Sequence, residues 1–388
     1  MKNQVSRMAL LLSFASITAF SCDSPRKSKT VEDINASSEL QITRPQSPTH
    51  YEFYIESSGS VKGFFKGTSG AKVVLTQLTD RLEENFIKGD TISYNFISDR
   101  IQTYSKDRDN FLKDTYNNCN AAYSELDDNL NMVIDDIDEN SVGLLISDYC
   151  FESKDGNWAT AQSGITKLFT RRLNENPDLT IAILKYNVDF DGRYYPGGIQ
   201  CRKTLPIYVW AFGSSESIKR IVNLKVNNDG ALVFQAFSHL KPKVTYVSDK
   251  PAKGRCMEND AVVVKEWKEN RKGFYSLKFE INATPLALSE ILLKDISTYN
   301  VTERYQIEEI NYKDGICSMV ISTERPSPGT IAVEYPYQLP QWVENSNFEG
   351  SGLPDDGTTL GFKYLVQGVF DAYNNKYENY FSTSITLK

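Results

Sequence analysis

Histidine is nearly missing: only His50 and His239 occur in 388 residues. Mechanisms built on a histidine base, and zinc sites with several imidazole ligands, therefore have little material. Cysteine is sparse too, at six, and no Cys-x-x-Cys spacing occurs. Neither a zinc ribbon nor a thioredoxin-like site is indicated. There is no Gly-x-Ser-x-Gly elbow,. "FGSSES" (Phe212 to Ser217) lacks the Gly-Lys-Ser/Thr of a phosphate loop and reads as a helix N-cap,. A basic surplus is absent as well, with 43 Lys and Arg against 50 Asp and Glu and a net charge of -7. A nucleic-acid partner, which needs a basic face, is not expected. Beyond the N-terminus no apolar run is long enough to span a bilayer,. Long repeats, low-complexity blocks and coiled-coil heptads are missing.

What is present is an ordinary globular balance, 40% hydrophobic and 24% charged, with 22 Tyr and 20 Phe,. The length suits two or three domains. The first residues set the compartment. "MKNQVSR" is a short basic start, "MALLLSFASITAF" a short apolar run, and "AFSC" ends at Cys22. Residues 1–21 read as a signal peptide. The cysteine after small residues resembles a bacterial lipobox, which implies cleavage before Cys22, lipidation of its thiol and an anchor in the membrane. The expected location is the bacterial cell envelope, as an outer-membrane lipoprotein, with surface and periplasmic exposure both open. Residues 22–49 are polar, contain three prolines and read as a flexible tether,.

From residue 50 strand and helix patterns alternate. "HYEFYIE" is a strand, "SGAKVVLTQLTDRLEENF" a helix, "DTISYNFISD" a strand and "RIQTYSK" an antiparallel edge strand. "NAAYSELDDNLNMVIDDI" is a helix with a solvated acidic face. "SVGLLISDY" is a buried strand, "TAQSGITKLFTRRLNEN" a helix, "DLTIAILKYNV" and "LPIYVWAFGS" strands, and "SESIKRIVNLKV" a closing helix,. This predicts an α/β domain over 50–225, a mostly parallel sheet with helices on both faces. "DFDGRYYPGG" (Asp189 to Gly198) reads as a surface excursion between two strands whose Arg193, Tyr194 and Tyr195 can join a contact surface. Residues 226–388 are strand-like runs between turn residues, including "GFKYLVQGVF", and predict a β-rich, sandwich-like region of one or two domains. "PLALSEILLKDIS" suits a single helix and "LPDDGTTLGF" a hairpin loop.

The stretch that carries chemistry is Glu56-Ser57-Ser58-Gly59-Ser60, at the end of the first strand. Carboxylate-x-Ser-x-Ser, followed by Gly63, resembles the metal-ion-dependent adhesion site of von Willebrand factor A domains. The order of elements in 50–225 is similar to that family's, and Asp148, after "LLIS", takes the place of its strand-end Asp. The resemblance implies a binding module in which Glu56, Ser58, Ser60 and Asp148 hold Mg²⁺, or alternatively Mn²⁺ or Ca²⁺, with one position open to an acidic group of a protein or glycan partner. The family's Thr aligns best with Cys119, with Thr115 and Asn120 as neighbours. Two departures argue for a site without metal. Glu56 is one methylene longer than the family's Asp, and Cys119 offers a soft sulfur where a hard oxygen is wanted. Ser58, Ser60 and Asp148 then hydrogen-bond loop amides. After Cys22 five cysteines remain, an odd number, and this fold makes Cys119 with Cys150 a geometric possibility for a disulfide,.

The sequence thus points to a non-catalytic, lipid-anchored binding protein that resembles Bacteroidetes envelope lipoproteins. Two alternatives stay open: a metal-free docking subunit of an envelope complex, and a hydrolase with a dispersed carboxylate site in the β-rich half.

Overall fold

The computed structural model describes residues 48–388, except 122–123, 154–155, 196, 225–232, 238–242, 248–254, 259–260, 265–274, 284–292, 314, 337–338 and 375–378. The signal peptide, Cys22 and nearly all of the tether lie outside the described residues, as does most of "PLALSEILLKDIS". Thr49, assigned to the tether by sequence, is buried, and its amide donates to Asp90 Oδ1 at 2.8 Å. The folded unit therefore starts just ahead of β1.

Strand β1 (His50–Glu56) shows why the first half is layered. Tyr51, Phe53 and Ile55 feed one apolar core and Tyr54 feeds a second on the other face. A strand buried on both sides must be covered by helices on both sides. A short 3-10 turn (Val61–Phe65) and α1 (Gly70–Glu84) follow, then β2 (Thr91–Ile97), β3 (Ile101–Tyr104), α2 (Arg108–Asn118), α3 (Leu126–Asp136), β4 (Ser141–Ser147) and α4 (Trp158–Glu175). Next come β5 (Leu179–Tyr194), β6 (Ile199–Ser214), α5 (Ser215–Val222) and β7 (Val233–Phe237). Helices α1, α2 and α5 cover one face through Leu75, Leu78, Phe111 and Ile218. On the other face α3 and α4 contribute Leu130, Val133, Ile165 and Phe169. Ser214 caps α5 by accepting from the Ser217 amide at 3.3 Å, as the sequence suggests,.

The sheet has seven strands in the order β3-β2-β1-β4-β6-β5-β7. It is mixed, which corrects the expectation of a mostly parallel sheet. Only β1–β2 and β1–β4 are parallel. The pairs β2–β3, β4–β6, β5–β6 and β5–β7 are antiparallel. Residues 195–198 are all that join β5 to β6, too few for the crossover that a parallel pair needs. The chain reverses through Gly197 (φ 100°) and Gly198 (φ 59°), and β6 slots in beside β4.

That hairpin also corrects the reading of Asp189 to Gly198 as an excursion. Pairing runs unbroken from Leu179 opposite Ser214 to Tyr194 opposite Ile199. Strand β4 matches β6 only over Tyr208–Phe212, and β7 matches β5 only over Ile181–Lys185. The remainder of the hairpin extends past its neighbours, beyond the carboxyl end of β4.

The later half is β-rich, as expected. Strands β8 (Lys243–Val247), β11 (Tyr275–Asn282), β13 (Gln306–Lys313) and β14 (Ile316–Thr323) form one sheet. Strands β9 (Arg255–Glu258), β10 (Ala261–Val264), β12 (Asn300–Val301), β15 (Gly329–Pro336) and β18 (Asn379–Leu387) form another. Phe279, Met319 and Ile321 of the first sheet and Val333 and Ile385 of the second belong to one apolar cluster.

Three parts of this half differ from their sequence reading. Strand β7 is the edge of the seven-stranded sheet. "GFKYLVQGVF" is not a strand but most of helix α7 (Phe362–Asn374), whose Leu365, Val366 and Val369 join the core under α4. "LPDDGTTLGF" is not a hairpin loop. Its Thr359–Leu360 (β17) pairs in parallel with Asn347–Phe348 (β16), just after α6 (Gln341–Asn345). Lys185 of β5 ties this segment down. The buried ammonium donates to Ser346 Oγ at 2.6 Å and to the Gly357 carbonyl at 2.7 Å. Burial, with no anionic partner among the described residues, pulls its pKa down to about 8,.

Candidate functional site

The parallel register of β1 and β4 sets Ile55 opposite Ile146, so the two strands end side by side at Glu56 and Ser147. Neighbouring strands are about 4.8 Å apart, and in a parallel pair both carboxyl ends face the same rim. The chain after each end therefore enters the same space. The structure brings Glu56, Ser58, Ser60 and Asp148 together at one floor, as the sequence pattern requires.

Glu56 and Asp148 are almost fully buried, at 6% and 5% exposure. The Ser147 hydroxyl donates to Glu56 Oε2, and its oxygen accepts from the Tyr149 amide at 2.9 Å. Ser58 and Ser60 share a hydrogen bond of 2.9 Å. The hydroxyls of Ser58 and Ser124 also stabilise the Glu56 anion, and that of Ser60 stabilises Asp148. Burial, reinforced by the neighbouring Asp148 charge, pushes Glu56 up to about 7 despite these hydroxyls,. Burial raises Asp148 too, opposed by the Cys150 amide, which donates to Asp148 Oδ1 at 3.1 Å, and by Ser60. Among the described residues neither carboxylate has an ion pair.

The turn after Asp148 is held in an uncommon conformation. Tyr149 has φ 49°, in the left-handed region that residues other than glycine rarely adopt,. Its buried ring stacks on Trp210 with centroids 4.6 Å apart, and this packing holds the turn in place,.

The sequence missed two members of the set and misassigned a third. Ser147 is visible as the polar end of an apolar strand. Ser124 lies just before α3, where its Oγ accepts from Asn129 Nδ2 at 2.8 Å. Its hydroxyl reaches Glu56, which none of Cys119, Thr115 and Asn120 does through a side-chain oxygen. Cys119 is wholly buried and donates its thiol to the Glu56 backbone carbonyl at 3.6 Å. Thr115 bonds back to Phe111 O within its own helix at 2.8 Å, and Asn120 Oδ1 accepts from Lys62 Nζ at 2.6 Å. Cys119 and Cys150 are both free thiols, so the disulfide between them is not formed. Loop amides account for only part of the hydrogen bonding expected of a metal-free site. Asp148 receives one, whereas Ser58 and Ser60 turn to each other and to the carboxylates.

Above this floor lies a cleft of about 870 Å³, within the usual range for ligand sites of ~300–1,000 Å³. The projecting hairpin supplies one wall. Phe190 occupies the space over Gly63, where an added Cβ would come within 2.3 Å of its ring. Gly192 lies so near the Gly63 backbone that its own Cβ would come within 2.6 Å of Gly63 Cα. Cys150 donates its thiol to the Tyr195 carbonyl at 3.0 Å, and the Leu360 amide donates to Tyr194 Oη at 3.3 Å.

The donor set suits a hard cation: two carboxylates and several hydroxyls converge, and the soft sulfur of Cys119 is spent on a carbonyl. Among the described residues no three His, Cys, Asp and Glu side chains cluster at metal-binding separations, so any cation here would lean on the serines. No helix among the described residues is long and apolar enough to cross a membrane. No protein-family model, curated protein or solved structure matches this chain.

Proposed function

We propose that this chain is a lipid-anchored, non-catalytic binding protein of the bacterial envelope, and that its sheet-top cleft engages a protein or glycan partner through a hard divalent cation. Glu56, Asp148, Ser58 and Ser60 would hold Mg²⁺, or alternatively Mn²⁺ or Ca²⁺. One observation carries this reading. Two carboxylates are buried together without an ion pair among the described residues, and four serine hydroxyls surround them. Burying two carboxylates is costly unless a proton or a cation offsets their charge, and burial already raises Glu56 to about 7,. A bound divalent cation supplies that charge and an open position for an acidic group of the partner. The von Willebrand A-like assignment rests on the Glu-x-Ser-x-Ser motif and its strand-end placement beside Asp148. The antiparallel insertion of β6 departs from the mostly parallel sheet expected with that resemblance. The anchor rests on the lipobox-like segment ending at Cys22.

Thermal unfolding with millimolar Mg²⁺, Mn²⁺ or Ca²⁺, each against chelator, tests the cation. A cation at 100 times its dissociation constant adds about 2.7 kcal/mol to unfolding. The expected result is a rise in Tm that Asp148→Asn and Ser58→Ala both abolish. An unchanged Tm with all three cations would leave the metal-free docking subunit as the better reading.

A further inference from the structure

The cleft carries charge of both signs: besides the floor carboxylates Glu56 and Asp148, Asp191 of the hairpin lines it and is paired with Lys66 and Arg202. Its cations, Lys62, Lys66 and Arg193, come from the segment after β1 and from the hairpin. Acids at its rim, Glu125, Asp127 and Glu152, come from the start of α3 and the loop after β4. The cations are not equally available. Lys62 is engaged by Asn120 and the Tyr116 ring, with Nζ 4.7 Å from the ring centroid, and Lys66 pairs with Asp191 at 3.0 Å. Arg193 is exposed and has no hydrogen bond or ion pair among the described residues. Two residues on, Tyr195 lies over Gly59. Its ring is 3.7 Å from where a Cβ on that glycine would sit, yet the side chain is 42% exposed. An exposed tyrosine at a cleft mouth offers an apolar face and a polar tip.

We infer that the cleft takes the end of an acidic saccharide, with the sugar carboxylate on Arg193 and the pyranose ring against Tyr195. The inference rests on the binding reading above but not on its cation. The hairpin wall and a cleft of about 870 Å³ favour a ligand of one or two sugar rings over a broad protein surface,. A guanidinium pairs with a carboxylate through two parallel hydrogen bonds, the strongest polar contact available to the cleft. Sugar hydroxyls can donate to Glu125, Asp127 and Glu152. A peptide with several carboxylates would bring more like charge against those same side chains than a saccharide with a single carboxylate, and it lacks the ring hydroxyls that donate to them. A neutral sugar would leave Arg193 unused.

Calorimetric titration of the full chain, with Mg²⁺ and with chelator, tests this using three probes. Cellobiouronate carries one carboxylate, cellobiose is its neutral match, and triglutamate is the acidic peptide. Cellobiouronate should bind at least tenfold more tightly than cellobiose or triglutamate. Arg193→Ala and Tyr195→Ala, both at exposed positions, should each weaken it about tenfold without altering Tm. Absence of cellobiouronate binding, equal or tighter binding of triglutamate, or indifference to both substitutions would overturn the inference. Binding that survives chelator and Asp148→Asn supports the saccharide and rejects the cation. Binding lost in both conditions supports the two together.

Discussion

Glu56 is the residue on which the site's electrostatics turn, and its environment has a measurable sign. At acid pH, well below its ordinary value of 4.5, the carboxyl is protonated in both folded and unfolded chains. Between 4.5 and about 7 the unfolded chain has released the proton while the folded protein keeps it. The folded state then binds more protons, so in chelator this group makes stability fall as pH rises through that window. Glu56→Gln should flatten the slope: nearly unchanged stability at acid pH, higher stability than the parent above neutrality. Denaturant melts across pH check this, and a variant as steep as the parent would contradict it. Most of the floor was readable from sequence because its members sit at strand ends. Strand periodicity locates an end well, and parallel neighbours deliver their ends to one rim. Ser124 was not readable. The helix read over residues 120–137 places it inside a helix, whereas α3 starts only at Leu126, and alignment to a motif favoured Cys119, whose thiol turns instead to a backbone carbonyl.

Among the elements, the β5–β6 hairpin departs most from what its sequence suggests. Asp189, Asp191 and Gly192 resemble loop material, yet they continue a strand. The reason lies in tertiary contact, which local preference does not encode. Phe190 packs edge-on against Phe64, with centroids 4.8 Å apart, and Asp191 is held by Lys66 and by Arg202 at 2.8 Å. The fit depends on Gly63, which the adhesion-site pattern marks but does not explain. A methyl there must displace the Phe190 ring or the hairpin. Gly63→Ala should cost about 1–3 kcal/mol, the usual penalty of overpacking. It should also loosen the contact between Cys150 and Tyr195, so thiol labelling of Cys150 in the native protein should quicken. Wild-type stability with an unchanged labelling rate would argue against the close fit. Helix α7 was missed for another reason. A short apolar run cannot be told as helix or strand from its own residues. Only the longer window, from Phe362 through Leu365, Val366, Val369 and Tyr373, shows the helical spacing.

At the scale of the molecule, the change in sequence texture near residue 225 does not end the first core. Residues 47–388 form one compact unit. Val343, Phe362, Leu365 and Val369 share a core with Leu168, Phe169 and Trp210. Tyr208 stacks on Phe362 with centroids 4.2 Å apart, and the Phe151 amide donates to the Leu360 carbonyl at 2.9 Å. A chain truncated after residue 225 should therefore lack a cooperative thermal transition and bind an apolar dye, since the face under α4 loses its cover. A sharp melt from that fragment would show the first half to be independent. Sequence composition cannot report such a return, because the late segment looks locally like its β-rich surroundings. The bond from Leu360 to Tyr194 adds a matter of timing. A polypeptide is made from its N-terminus, so the strand ends bearing Glu56 and Asp148 emerge well before the residue that fastens the hairpin wall beside them,. Until translation has delivered Leu360, the hairpin wall lacks the bond that ties Tyr194 to the later half of the chain.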